Sequence, residues 1–361
     1  MPLPSLLLLL LLYAPSAWCL TAPDAWPSQA PYFPHTSRLT TVLSGIWSFG
    51  FIGSVDPETL PYSALSTPNT TTVPGSFDIA PPGVVPSRGT ACYRAVMACT
   101  PGAPALLSFA AVNFFTRVFA DGTQLGEAHR SGYTPFTRLA PLCGSGGTRE
   151  VALIVNNEQN STLSPTWTGG DFFGYSGVIR PIVVTELSPT APYFISRVEP
   201  IILDAHAGRL DLRVVLGTVN ASALLPPTVH LAVGFNGGAP GAAGEYGVLE
   251  APWGGEHVAV IPGVQAPAGT PLWQLGIGGT FEVSVTAPIV GDTLSIRTGL
   301  RVLGVDAATG RLTINGVVEK LVGYNRHTLR FDTGAALTPA QEAAGESGWG
   351  GVGAAAMGLL S

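Results

Sequence analysis

Apolar residues in this chain recur every second position, in short runs closed by Gly, Pro, Asn or Ser. That period is the one feature that most restricts the fold, because alternate residues of a strand face the same side while a helix needs a period near 3.6. Arg209 to Val219 (RLDLRVVLGTV) puts Leu210, Leu212, Val214 and Leu216 on one side. Val229, Leu231, Val233 and Phe235 repeat the pattern, as do Phe281, Val283 and Val285. Arg149 to Val155 (REVALIV) is a compact apolar run with a charged start. Short strands between turn residues predict a mainly β chain built of sandwiches.

Composition agrees with burial. Charged residues make up 11% of the 361 residues, against about 25% in ordinary domains. Disordered chains have the opposite bias. The net charge of −6 argues against a general attraction to nucleic acid.

The first nineteen residues, Met1 to Cys19, read as a signal peptide. The leucine run Leu6–Leu12 is followed by Ala14, Ser16 and Ala17 near a plausible cleavage point. It is too short for a bilayer, which takes about 20 apolar residues. No later stretch reads as a membrane span. Three sequons, at Asn69, Asn160 and Asn220, fit an exported glycoprotein, secreted or lysosomal. With Cys19 in the leader, Cys92, Cys99 and Cys143 remain. Cys92 and Cys99 sit at odd spacing on one predicted strand and should face opposite sides. Cys99 with Cys143 is the better disulfide pair, and three buried free thiols is the competing reading. Nothing in their spacing suggests a metal site, and no cofactor is called for.

Two composition breaks divide the chain. The Pro-rich joint Leu187-Ser188-Pro189-Thr190-Ala191-Pro192 separates a sandwich over 22–188 from a second over 189–299. The Gly/Ala-rich stretch Asn236 to Gly247 is expected to be a loop of the second. From Leu300 the character changes. Arg311 to Leu321 reads as a hairpin about Asn315-Gly316, a strong short-range hairpin signal. An apolar strand-like segment follows (Leu321-Val322-Gly323-Tyr324-Asn325). Thr338-Pro339-Ala340-Gln341 then reads as a helix start, with Thr338 as N-cap and Gln341 as its capping-box partner. After Ala344 the glycine-rich end opposes helix by roughly 1 kcal/mol per glycine.

These segments together resemble glycoside hydrolase family 2. Leu43-Ser44-Gly45-Ile46-Trp47-Ser48-Phe49 is similar to that family's L-x-G-x-W-x-F opening, and Val73-Pro74-Gly75-Ser76-Phe77 to its VPxSF turn. Cys92-Tyr93-Arg94, Ala120-Asp121-Gly122, Ser131-Gly132-Tyr133-Thr134-Pro135-Phe136 and Val155-Asn156-Asn157 follow in the family order. Asp171-Phe172-Phe173-Gly174-Tyr175-Ser176-Gly177 is similar to the DFFNYAG signature of β-glucuronidases. Pro271-Leu272-Trp273, Gly299-Leu300-Arg301, Gly323-Tyr324-Asn325-Arg326-His327 and Ala336-Leu337-Thr338-Pro339-Ala340-Gln341 continue the series. The match is colinear over residues 37–342.

The resemblance implies a jelly-roll sugar-binding domain (22–188), an immunoglobulin-like sandwich (189–299) and the truncated start of a (β/α)8 barrel (300–342), with 343–361 outside the family frame. It implies a retaining β-glucuronidase-like glycosidase acting on a β-glucuronide or related β-glycoside, with a homo-oligomer possible for a full-length form. Such an enzyme needs two carboxylates about 5–5.5 Å apart. In the family both are glutamates on late barrel strands, so they are expected beyond this chain, and no catalytic residue is assigned within it. Asn157-Glu158 has the look of the family's acid/base pair but follows a sandwich strand. From the residues alone Asp171 reads as an aspartate closing a turn; the resemblance makes it the substrate-binding candidate, where a carboxylate can accept two sugar hydroxyls. Asn325 and His327 follow a predicted barrel strand, on the face where barrels carry their sites; otherwise they belong to a polar loop. Thr328 stands where the family has a glutamate after that histidine. Trp47, Trp167 and Trp273 read as core aromatics. A second functional reading is a non-catalytic secreted carbohydrate-binding protein. A third takes the Gly/Ala-rich end as a mis-spliced or mistranslated terminus.

Overall fold

The computed structural model describes residues 35–79, 88–158, 160, 163, 174–219, 224–251, 256–321, 329–338 and 340–341. Its strands in chain order are β1 (His35–Thr36), β2 (Thr40–Val42), β3 (Gly45–Gly53), β4 (Asn69–Val73), β5 (Thr90–Ala98), β6 (Ala105–Phe109), β7 (Phe115–Ala120), β8 (Thr123–Gln124), β9 (Phe136–Ala140), β10 (Thr148–Asn156) and β11 (Ile182–Glu186). There follow β12 (Phe194–Asp204), β13 (Arg209–Gly217), β14 (Thr228–Phe235), β15 (Gly244–Glu250), β16 (His257–Gln265), β17 (Thr280–Ala287), β18 (Asp292–Gly299), β19 (Leu303–Val305), β20 (Leu312–Ile314) and β21 (Val317–Val318). All pairings between these strands are antiparallel. Helical geometry among the described residues is limited to a 3-10 turn at Tyr62–Ala64 and to Ala340 and Gln341.

In the amino-terminal part a six-stranded sheet, β4-β3-β5-β10-β7-β8, faces a four-stranded sheet, β2-β11-β6-β9. One core receives Trp47, Tyr93, Val118 and Leu153 from the first and Leu107, Phe109, Phe136 and Ile182 from the second. β10 explains why REVALIV is apolar at every position after its charged start. The strand lies between β5 and β7, with Val151, Leu153 and Val155 in the main core. Its other face places Ala152 and Ile154 in a smaller cluster with Leu60, Leu65, Cys92 and Phe119. A strand covered on both faces gains burial from every residue, at roughly 1.5–3 kcal/mol for each large aliphatic side chain.

The second body is one hydrogen-bonded order, β1-β18-β17-β14-β15-β16-β13-β12, rolled so that β12 packs against β17 and β18. The roll turns at β14. Its first half, Thr228 to Leu231, pairs with β15, and its second half, Ala232 to Phe235, pairs with β17. The alternating residues fill the interior: Leu210, Leu212, Val214 and Leu216 with Val229, Leu231, Phe281, Val283 and Val285, and Val233 and Phe235 against its edge.

The structure corrects one local expectation. The Gly/Ala-rich stretch 236–247 is a loop only as far as Ala243. Gly244 to Gly247 is the first half of β15, in register with Leu231 to Thr228. Glycine is a poor strand former, but the unpaired edge of β14 supplies the hydrogen bonds, and sheet context outweighs intrinsic preference.

Two features tie the parts together. β1 belongs to the second body, through His35 opposite Ser295, before the chain crosses to β2. Beyond the second body, β20 and β21 form a hairpin about Asn315 and Gly316. Both turn residues have positive φ, 51° and 80°, as a type I′ turn requires. The Asn315 Nδ2 also donates to the carbonyls of Trp273 (3.1 Å) and Leu300 (3.3 Å), anchoring the hairpin to the second body. At the far end Thr338 and Gln341 make the reciprocal capping bonds, Thr338 N to Gln341 Oε1 (2.8 Å) and Gln341 N to Thr338 Oγ1 (3.2 Å). The expected strand after Leu321 and the glycine-rich end lie outside the described residues.

Candidate functional site

Asp171, Asn325 and His327 lie outside the described residues. Their chain neighbours do not: the description resumes at Gly174, three residues after Asp171, and at Leu329, two after His327. These two stems meet, on a frame made by the ends of the first sandwich's strands.

The frame begins where β5 and β10 pair. Asn156 Nδ2 donates to Thr90 Oγ1 at 2.9 Å. Asn157, fully buried, accepts the Gly89 amide on Oδ1 (2.7 Å) and donates from Nδ2 to Asp78 Oδ2 (3.1 Å). Asp78, 3% exposed, also accepts the Ser176 amide on both oxygens, at 3.0 and 3.1 Å. Arg88 Nη1 donates to the carbonyls of Asn157 (3.0 Å) and Gly174 (3.1 Å). Asn113 Nδ2 reaches the Tyr175 carbonyl at 2.8 Å. Burial pushes the Asp78 carboxyl above the usual carboxylate range, and the bonds from Ser176 and Asn157 and the Arg88 charge offset part of that rise. The same burial holds the Arg88 guanidinium below its usual value, with Asp78 acting against it.

The stem is therefore stitched on both sides. Gly75 N donates to Val178 O (2.8 Å) and Phe77 N to Ser176 O (3.0 Å), while Asn113 and Gly177 exchange backbone bonds. Gly177 has φ 125°, and a Cβ there would lie 2.4 Å from the Gly75 carbonyl oxygen, so only glycine fits.

The second stem packs on the first. Arg330 and Gly334 exchange backbone bonds at 2.9 Å, closing a turn. Arg180 Nη1 donates to the Ala335 carbonyl at 2.7 Å. Ala335 and Ala336 bury against Ala111 and Ile179, with Tyr175 and Leu329 at the margin. This joins a polypeptide leading out of the first sandwich to one that follows the second body by some thirty residues.

The remaining sequence candidates divide. Asn157 is a scaffold residue here, since both ends of its amide hold backbone or Asp78, and Glu158 N donates to Asn156 Oδ1 (2.7 Å). Of the acids near the end of the chain, which the sequence did not mark as site residues, Asp306 accepts from Thr309 and Asp332 from Arg330; Glu342 and Glu346 lie outside the described residues. Trp47 and Trp273 are buried, and Trp167 lies outside. Cys99 and Cys143 are joined in a disulfide, and Cys92 is a buried thiol. Asn69 is exposed at the start of β4. Asn160 is half-buried and accepts from Leu163 N at 2.8 Å. Asn220 lies outside. Among the described residues no three His, Cys, Asp or Glu gather to hold a metal, and no helix is long and apolar enough to cross a membrane.

Sequence reasoning missed Asp78 and Arg88. Asp78 directly follows the Val73–Phe77 turn motif, which was the only available signal. Its partners lie 79 and 98 residues away in the chain, too far for any local pattern.

Two antiparallel bodies, a hairpin and a capped helix start, with the two stems joined, define a multidomain β architecture. Comparison with solved structures makes the class specific: the chain has a β-glucuronidase-like fold, that of the amino-terminal β domains of GH2 enzymes. Bifidobacterium dentium β-glucuronidase complexed with coumarin-3-O-glucuronide matches with a TM-score of 0.65 at 18% identity, over 86% of this chain and 56% of that one. The Eisenbergiella tayi GH2 β-galacturonidase bound to galacturonate gives 0.63 at 20%, over 85% and 50%. Ruminococcus gnavus β-glucuronidase in complex with uronic isofagomine gives 0.60 at 19%, over 85% and 51%. The chain thus spans about half the length of the solved enzymes it matches. No family model and no curated protein matches the sequence.

Proposed function

We propose that these 361 residues are the sugar-recognising, amino-terminal half of a retaining β-glucuronidase-like glycoside hydrolase, and that the catalytic glutamates belong to polypeptide beyond them. The observation that carries this reading is the junction of the 174–180 and 329–336 stems. The stems that begin three residues after Asp171 and two after His327 meet there, in a fold shared with enzymes solved with uronides. Asp171 accepts hydroxyls of the sugar, while Asn325 and His327 donate to it. A carboxylate–hydroxyl bond is charge-assisted and worth about 1.5–3 kcal/mol.

Calorimetric titration of residues 20–361 with D-glucuronate, D-galacturonate and D-glucose tests the reading. A uronate should bind, and Asp171→Ala should weaken it by roughly 10–100-fold, the equivalent of that bond. Equal affinity of the variant, or no uronate binding by the parent protein, contradicts the assignment.

We also propose that the chain is exported after removal of Met1–Cys19 and carries a glycan on Asn69, whose exposed amide sits on an edge strand. Enzymatic deglycosylation should shift the secreted protein's mass, and Asn69→Gln should remove part of that shift. An intact Met1 terminus on unglycosylated cytosolic protein contradicts export.

A further inference from the structure

The backbones of 75–78 and 176–178 run as a short ladder: Gly75 N to Val178 O, then Phe77 N to Ser176 O. The next rung has no main-chain acceptor. The Asp78 carboxylate takes that place and receives the Ser176 amide. The 330–334 turn packs against Ser76 and Tyr175. Gly334 has φ 58°, and a Cβ on it would lie 2.8 Å from Ser76 Oγ and 2.8 Å from Tyr175 Cδ1. Ser76 and Tyr175 thus form a notch that admits a bare Cα; Tyr175 directly precedes Ser176, and Ser76 lies two residues before Asp78.

We infer that Asp78 is a positioning residue: through Ser176 it fixes the notch between Ser76 and Tyr175 in which Gly334 seats, and so sets where the 329–337 segment meets the first sandwich. The inference deepens the proposed function and rests on it only in taking this seam as the frame of the sugar site. The physical ground is the steepness of close packing. A gap of 0.5–1 Å already forfeits a quarter to a half of the attraction, so a rung that drifts by that much leaves the turn without its seat. Asn157 makes the requirement specific. Its Oδ1 is taken by the Gly89 amide, so its Nδ2 must face position 78. That position must therefore accept twice, from Ser176 and from Asn157. Asparagine at 78 turns its NH2 toward the Asn157 donor in one orientation and, flipped, toward the Ser176 amide that the other oxygen also faces, so neither orientation reproduces the carboxylate.

Amide hydrogen exchange on the full chain reads the coupling without any ligand. The informative amides are Ser176 at one end and Arg330 and Gly334, bonded to each other's carbonyls, at the other. Asp78→Asn should raise exchange at all three by about tenfold, within the range of ordinary coupling between sites. The exchanged pair Asp78→Asn with Asn157→Asp restores every bond: the new amide donates to the new carboxylate, which still accepts Gly89. It should return all three amides to parental protection, a rescue that a mere loss of stability would not show. Coupling is reciprocal, so Gly334→Val must loosen Ser176 as well, which keeps the test available if Asp78→Asn does not fold. Parental exchange at Arg330 and Gly334 in Asp78→Asn, parental exchange at Ser176 in Gly334→Val, or no rescue in the exchanged pair overturns the inference. Uronate binding is measured separately on the same proteins. Absence of binding with the coupling intact removes the sugar reading and leaves the role of Asp78 standing.

Discussion

Asp292→Ala is expected to destabilise the protein by about 3–5 kcal/mol, the usual cost of removing one partner from a buried ion pair. Asp292 and Arg38 are 7% and 9% exposed. The guanidinium grips the carboxylate with two bonds, at 2.7 and 2.6 Å, and donates to the Ile195 carbonyl at 2.6 Å. Asp292 Oδ2 also accepts the Ile195 amide at 2.7 Å. One carboxylate therefore fixes the entry of β12, the start of β18 and the segment between β1 and β2. Deleting it removes two charge-assisted bonds from a buried guanidinium and leaves the buried Ile195 amide without that acceptor. Arg330–Asp332 provides the contrast: both side chains are 39% exposed and two residues apart, and Asp332→Ala should leave stability unchanged, as surface pairs generally do. Urea denaturation of both variants checks the pair of expectations. Similar midpoints for the two would contradict the ranking by burial.

Removing the Cys99–Cys143 disulfide is the other large effect. The two cysteines are 44 residues apart in sequence, and closing a loop of that size in the unfolded chain is worth about 4 kcal/mol in the chain-entropy model. The bond joins the chain just after β5, in the six-stranded sheet, to the chain just after β9, in the four-stranded sheet. It therefore staples the two layers at one end of their shared core. Backbone bonds support the same corner: Gly102 N to Cys143 O (2.9 Å), Cys143 N to Ala103 O (2.9 Å) and Cys99 N to Gly147 O (3.0 Å). The double variant Cys99→Ser with Cys143→Ser should lose roughly 2–4 kcal/mol, and the parent protein should lose as much in reducing agent. Cys92 serves as the internal control. It is buried in the small cluster on the opposite side of β5, and burial pushes its thiol up to about 12, so it should resist alkylation until the protein unfolds. Equal denaturation curves with and without reductant would contradict the role given to the staple.

The parts legible in sequence were those whose cause is local. Period-2 alternation gave β13, β14 and β17, because each has one face in the core and one toward solvent. Asn315-Gly316 gave its hairpin, because few other pairs accept positive φ twice. Thr338 and Gln341 gave the cap, because its two bonds span three residues. What escaped depends on partners far along the chain. Gly244–Gly247 becomes strand only because β14 leaves an edge free beside it. Asp78 looks like any turn aspartate until Asn157 arrives from the end of β10 and Ser176 from the segment before β11. The candidate site shows the same division: the Asp171 and Asn325–His327 motifs can be named from sequence and lie outside the described residues, while the frame that joins their stems cannot be named from it.

We propose that these residues recognise a uronide and that its hydrolysis falls to carboxylates elsewhere. Hydrolysis with retention needs a nucleophile and an acid/base group about 5–5.5 Å apart, and electrostatic stabilisation of the transition state depends on both. The most direct measurement is release of the chromophore from a chromogenic β-glucuronide by residues 20–361, run beside a full-length β-glucuronidase. The expected result is no turnover above the uncatalysed rate with uronate binding retained. Turnover comparable to the full-length enzyme, abolished by replacing a single Asp or Glu within these residues, would contradict it.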